Sequence, residues 1–290
     1  MSEIYHISYD FINSCRKQLT TKEFIDRSEQ RFFNQIESIA DEAINKQVRL
    51  IRLAGPSGSG KTTSTKRIVE AIRAEGVPAY YMSMDNWYRT LSVENMPKTE
   101  DGDPDYESPE LLDVAGFKQD MEDLLNGKII NLREFDFTNR KSTKSIKTIQ
   151  CEHNAIVVIE GLHAINPIFD TSFKDFKVYV EPFDVEMPNG STLTSSEIRL
   201  CRRMHRDMVD RGMSFEATIQ KCNSVDNGQD KYIKPYTHNI DIMRVDTLLM
   251  YEIFIHRNEL TDAEYLKDID KTEITKDIIP ENSILREFYK

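Results

Sequence analysis

The sequence predicts an α/β fold: a doubly wound, mostly parallel sheet with helices on both faces. Three observations carry this. Short apolar runs bounded by turn residues alternate with stretches of helical periodicity, the pattern of repeated strand–helix–strand units. The run Ala155–Ile159 is apolar at every position, as suits a strand covered on both faces. A glycine-rich turn joins the first strand of the main fold directly to a helix.

Taken in order, Phe32, Ile36, Ile39 and Ala43 recur at helical spacing between Thr21 and Lys46, so an amphipathic helix precedes the main fold. Val48–Ala54 reads as a strand, and the residues after the glycine turn as a helix to about Glu75. Pro78–Met84 reads as a second strand ending in Asp85. After a polar stretch with Pro97, Gly102 and Pro104, Ser108 suits an N-cap, Pro109 a first helical turn and Gly127 a helix stop. Lys128–Gln150 reads as a small β-hairpin insertion with a polar tip around Asn139–Lys144. Lys177–Glu181 and Asn239–Met243 complete the strands, and the charged tail from Thr261 reads as a helical appendage without evident chemistry. The expected organisation is a helical extension (1–47), a main domain (48–260) and a C-terminal helical appendage (261–290).

The chain has 290 residues, is 39% hydrophobic and carries a net charge of −11. It can build a sizeable core, but it lacks the dominant basic field of a general nucleic-acid or membrane-surface binder, so neither partner is expected. Cys15, Cys151, Cys201 and Cys222 form no CxxC pair, which points to reduced thiols rather than a zinc or redox site. A polar N-terminus and the lack of any apolar run near about 20 residues point to a cytoplasmic protein. Self-association into a homo-oligomer is left open.

Gly55-Pro56-Ser57-Gly58-Ser59-Gly60-Lys61-Thr62, followed by Thr63, fits G-x-x-x-x-G-K-[ST] at every fixed position and sits between an apolar strand and a helix. This is a P-loop. Its backbone curls so that N–H groups face phosphate oxygens, and the helix adds its N-terminal donors. Lys61 supplies a point charge, and the Thr62 hydroxyl a ligand for Mg²⁺. Two acids, Asp85 and Glu160, fall at strand ends, where ligands lie in open α/β sheets. Such acids can serve a metal ion or take the proton of an attacking hydroxyl.

Arg199, Arg202, Arg203 and Arg206 follow i, i+3, i+4, i+7 spacing and share one helical stripe, with Ile198, Leu200, Met204 and Met208 off it for the core. Converging guanidinium groups in an acidic chain suit capture of transferring phosphate charge; a solvated basic face is the alternative. His205-Arg206-Asp207 is not a protein-kinase catalytic loop, because Gly212 stands where asparagine is required. No [NT]-K-x-D motif marks a GTPase switch.

Seven segments then appear in family order: 55–63, 84–89, 105–113, 135–137, 157–167, 199–212 and 234–242. The chain resembles the uridine kinase-like branch of the phosphoribulokinase/uridine kinase family over about residues 48–257. The resemblance implies ATP with Mg²⁺ as donor and a small-molecule acceptor, a nucleoside phosphorylated on its 5′-hydroxyl. It implies Asp85 as general base, Tyr88 in the acceptor pocket, Glu107 on ribose hydroxyls, and Glu160 and Asp85 with Thr62 at the metal. Arg203, Arg206 and Arg211 would form a lid over the phosphates, with Arg202 toward the substrate. The hairpin would bring Phe135, Phe137 and Arg140 to the acceptor. Phe135 lacks the hydroxyl of the family's Y-D-F segment, Arg140 stands near the place of a histidine, and Glu107 is one methylene longer than the usual aspartate. Residues 279–289 also resemble the closing segment of a bacterial subgroup of longer uridine kinase-like proteins. Two other readings stay open: the same chemistry on a sugar phosphate or pantothenate-like acceptor, and a nucleotide-binding regulatory protein without turnover.

Overall fold

The computed structural model describes residues 6–92, 96–99, 102–237, 242–260 and 263–289, with the side chains of 211 and 221–225 outside that description. β1 (His6–Ser8) leads into α1 (Tyr9–Gln18) and α2 (Thr21–Asn45). β2 (Leu50–Ala54), α3 (Lys61–Ala74) and β3 (Ala79–Ser83) follow, then α4 (Val114–Leu125) and the hairpin β4 (Ile130–Asp136) and β5 (Lys141–Ile149). β6 (Ile156–Glu160), β7 (Asp175–Glu181), β8 (Asp184–Glu186) and β9 (Thr192–Leu193) precede α5 (Ser195–Arg211) and α6 (Phe215–Tyr232). β10 (Ile242–Asp246) and α7 (Glu252–Glu259) complete the order.

The main sheet runs β10-β7-β2-β6-β3, with all neighbours parallel. Strand periodicity divides its side chains between two cores. Ile51, Leu53, Ile156, Val158, Val178 and Val180 face one that α2, α3, α5, α7 and the C-terminal segment close. Leu50, Ala54, Val157, Ile159 and Tyr179 face the other, closed by Phe117, Met121 and Leu124 of α4. The doubly wound sheet predicted from the sequence is therefore the one found. Arg52 is the exception in the middle strand. It is fully buried and its charge is answered by Asp170 and Asp175.

Several boundaries differ from the sequence expectation. Ser108 and Pro109 start only a short 3-10 turn, Pro109–Leu111. The helix itself begins at Val114, where Asp113 accepts the Gly116 N–H, because two turns compete for one start and Asp113 caps the longer one. The last strand, Ile242–Asp246, runs three residues past its predicted end at Met243; residues 238–241 lie outside the described residues. Met208, expected in the core, is 47% exposed near the end of α5. The segment from 263 holds 3-10 turns rather than a helix, and its Ile284, Leu285 and Phe288 are buried in the large core. β1, α1, β8 and β9 have no sequence signal strong enough to read; β1 pairs with β8 across 178 positions.

The start of α2 is built by a reciprocal cap. The Thr20 hydroxyl accepts the Glu23 N–H at 3.3 Å, and the Glu23 carboxylate accepts the Thr20 N–H at 2.9 Å. Thr20→Ala is expected to cost about 1 kcal/mol of stability. A urea titration with an unchanged midpoint would count against the cap.

Candidate functional site

Sheet register brings the site together. Leu53 of β2, Glu160 of β6 and Ser83 of β3 lie in one row, so Gly55 and Asp85 each stand two residues past the row that holds Glu160. β2 lies in the middle of the sheet, where the chain turns from filling β3 and β6 on one side to β7 and β10 on the other. The loop that β2 feeds therefore opens at the topological switch point.

Because the loop's N–H groups turn inward, its carbonyls face outward and need donors of their own. The structure supplies them. Arg199 Nη1 donates to the Ser57 carbonyl (3.2 Å), Arg202 Nη1 to that of Gly58 (3.1 Å) and Thr247 Oγ1 to that of Ser59 (2.8 Å). Lys61 Nζ donates to the Pro56 carbonyl at 3.2 Å. Gly58 and Gly60 adopt φ of +84° and +85°, which favours glycine at both places. At the first turn of α3, Ser64 makes the first backbone bond back to Gly60, leaving the Lys61, Thr62 and Thr63 N–H groups without a backbone partner in the helix.

Asp85 rides on a 3-10 turn, Met84–Trp87, that Ser83 caps by accepting the Asp85 N–H. Burial pushes the Asp85 carboxyl above the ordinary range, and the Lys61 charge opposes the rise. Glu160 is raised by burial in the same way, with Lys61 lowering it and Asp85 raising it, while the Tyr81 hydroxyl donates to it at 3.3 Å. Glu107 is raised by burial against the pull of Lys61 and Arg203, with Asp105 and Asp85 adding to the rise. The charge of one lysine thus lowers all three carboxyls against their burial. Trp87, on the Asp85 turn, donates its indole N–H to Asp120 of α4 at 2.9 Å and meets Phe117 edge-on.

An aromatic wall follows the Asp85 turn. Tyr88 lies 5.2 Å from the Phe135 ring and 6.0 Å from Phe137, between Asp85 and Glu107 electrostatically; burial raises its hydroxyl pKa. Phe137 is 63% exposed. Arg140, at φ +53°, stacks its guanidinium 5.5 Å from the Tyr106 ring rather than on the wall. α6 closes over Glu107: a Cβ on Gly228 would stand 2.5 Å from Glu107 Cγ.

The arginine stripe divides. Arg203 is buried against Gly58 and acts on Glu107. Arg206 gives both of its bonds to the neighbouring Asp207 (2.9 and 3.0 Å). The side chain of Arg211 lies outside the described residues. Arg202, expected toward the substrate, is instead fully buried behind the loop. It is held there by Glu252 at 2.5 and 2.8 Å and by the Thr247 carbonyl at 2.7 Å. Its position on the helix stripe is right for the site, but the Gly58 carbonyl needs its donor more than solvent does.

Sequence reading missed a second group around Glu107. Asp105 is buried and accepts the Tyr232 hydroxyl of α6 at 2.6 Å. His163 is 2% exposed, and burial pushes its pKa down to about 4 against the opposing pull of the Glu107 backbone and Asp105. It stands 5.9 Å from the Tyr232 ring. Its place three residues past Glu160, just beyond a strand end, was the available signal.

The donor set suits a magnesium–phosphate complex. No group of three or more His, Cys, Asp or Glu among the described residues could hold a metal alone. Two buried carboxylates and a threonine hydroxyl beside a phosphate loop match Mg²⁺, which keeps waters and takes phosphate oxygens. A cation there would also hold Asp85 and Glu160 ionised against their burial. No described helix is long and apolar enough to cross a membrane.

Comparison with known proteins agrees with this geometry. The family described as Phosphoribulokinase / Uridine kinase matches residues 50–248. The uridine kinase of Macrococcus caseolyticus is 30% identical over 198 residues, 67% of this chain and 86% of that one. The uridine kinase of Staphylococcus haemolyticus is 30% identical over 195 residues, again 67% of this chain and 86% of its own. Among solved structures, a protein described as a fructose transport system kinase, from a Silicibacter species, is similar with a TM-score of 0.51 at 17% identity. That match covers 72% of this chain and 98% of the other, and it concerns the fold. The chain belongs to the phosphoribulokinase/uridine kinase family and is a phosphotransferase with an alcohol acceptor.

Proposed function

We propose that the protein transfers the γ-phosphoryl group of ATP to the 5′-hydroxyl of a nucleoside. The observation that carries this reading is the phosphate loop at the switch point of the sheet, with Asp85 just past the end of β3 and Glu160 at the end of β6 beside it. In it, the backbone from Gly55 to Thr63 binds the phosphates and Lys61 orients the terminal one. Asp85 accepts the proton of the acceptor hydroxyl on its carboxylate. Glu107 accepts from acceptor hydroxyls, and Tyr88 with Phe135 and Phe137 stacks the base. Arg203, with Arg206 and Arg211 of the same helix, steadies charge on the departing phosphoryl group. Thr62, Asp85 and Glu160 would hold Mg²⁺, which would neutralise charge on the phosphate oxygens.

Two of the four stripe arginines, Arg199 and Arg202, are occupied by loop carbonyls and acidic partners. That leaves fewer cations for an acceptor bearing its own phosphate, and favours a neutral acceptor such as a nucleoside over a sugar phosphate. A panel of nucleosides, sugar phosphates and pantothenate with ATP and Mg²⁺ tests this. Turnover of nucleosides is expected; turnover of a phosphorylated sugar with no nucleoside accepted would overturn it.

A further inference from the structure

The C-terminal segment carries no catalytic motif, yet it ends on the phosphate loop. It is pinned there on both sides of Glu287. Upstream, the Asn282 carbonyl accepts from Arg67 of α3 at 2.8 Å, and Ser283 Oγ lies 3.1 Å from the Tyr251 hydroxyl. Ile284 packs so closely that a Cβ on Gly60 would stand 2.4 Å from its Cδ1. Downstream, the Tyr289 hydroxyl lies 2.6 Å from His256 Nδ1, and His256 Nε2 lies 3.0 Å from Glu252. Glu252 in turn holds Arg202, the donor to the Gly58 carbonyl.

Between these anchors Glu287 reaches the first turn of α3. Its Oε2 accepts from Thr63 Oγ1 at 2.7 Å and from the Thr63 N–H at 3.3 Å. That N–H is one of the donors a helix start leaves unpaired, and on a P-loop helix such donors serve nucleotide phosphate. A carboxylate of this chain therefore sits on groups that the loop would otherwise offer to an incoming anion. The neighbouring backbone is fixed by Ile284, Leu285, Phe288 and Tyr289, all at most 3% exposed, whereas Glu287 is only half-buried. Its side chain can turn away without unseating the segment.

We propose that the C-terminal segment is a working part of the nucleotide site, with Glu287 standing in for a nucleotide phosphate on Thr63. Glu287 is a positioning residue: it keeps the first turn of α3 in place before nucleotide arrives, then yields its two donors, and so sets the affinity of the loop. The inference rests on the phosphate-loop reading above. It separates from a purely structural role by direction, because a structural residue can only weaken binding when replaced, whereas a displaced anion tightens it.

The test is calorimetric titration of the full chain with sodium tripolyphosphate and, separately, with ATP. Wild type, Glu287→Gln, Glu287→Ala and Lys61→Ala are compared. Glu287→Gln keeps the shape and an acceptor oxygen while removing the charge. It is expected to bind both probes roughly 3- to 10-fold more tightly, the range of a charge at a helix N-terminus. Glu287→Ala should tighten binding as well and lower the thermal midpoint of the ligand-free protein, and the KM for ATP should fall in both. Wild-type binding that Lys61→Ala abolishes, with Glu287→Gln equal to wild type or weaker, would overturn the role of Glu287 and leave the phosphate loop standing. Absence of binding in wild type and Glu287→Gln alike would overturn the nucleotide reading, and this inference with it.

Discussion

Asp85→Asn is expected to lower turnover by about 10²-fold or more while ATP affinity stays within a few-fold, on the scale of general-base catalysis. The geometry explains both halves. Asp85 stands two residues past the row that joins β2, β6 and β3, and the Lys61 charge acts on it there. Asparagine keeps the turn that Ser83 caps, since that bond uses the backbone N–H. What disappears is a basic oxygen. Burial raises the Asp85 carboxyl and a cation bound beside it would lower it again, so kcat/KM of the wild type should rise with pH through a carboxylate limb that moves down as Mg²⁺ is added. The limb should vanish in Asp85→Asn. Steady-state kinetics across pH 4 to 8 at low and at saturating Mg²⁺ decide the matter, and a variant that keeps both its rate and the limb would remove Asp85 from proton transfer.

The second large effect is structural. Glu252→Ala is expected to destabilise the fold by about 3–5 kcal/mol, because it strands the charge of Arg202 in a fully buried place. Burial alone would raise the Glu252 carboxyl, but the Arg202 charge and the bonds from Arg202 and His256 outweigh it and hold it down at about 2. The folded value thus lies below the unfolded one. The ionised pair stabilises the protein fully above about pH 4.3, the unfolded value, and that contribution is lost as pH falls toward 2. The stability gap between wild type and Glu252→Gln should therefore narrow across that window in chemical denaturation. Replacing Arg202 and Glu252 together by Met and Leu should recover most of the loss. A double variant no more stable than Glu252→Ala would show that the Gly58 carbonyl, not charge burial, sets the cost.

Much of this was legible in the chain, and the division follows physical range. The phosphate loop, Asp85 and Glu160 are local signals: a strand end, a turn and a helix start lie within a dozen residues, and their register follows once the strands pair. The arginine stripe was legible as a stripe but not as a division of labour. Which guanidinium faces the cleft depends on carbonyls about 140 residues away, at Ser57 and Gly58. The tail was the least legible. Glu287 meets Thr63 across 224 residues, and a segment of single 3-10 turns has no periodicity to read. His163 lies in a recognised segment, but a lone histidine carries no signal of its own until the fold shows it buried beside Asp105 and Glu107.

One detail of the acid-bearing turn has practical value. Trp87 is the sole tryptophan in the chain and sits two positions from Asp85, locked by its bond to Asp120. Its ultraviolet emission is a built-in optical probe confined to the turn that carries Asp85. Stopped-flow traces can therefore time events at that turn without dyes or coupling enzymes.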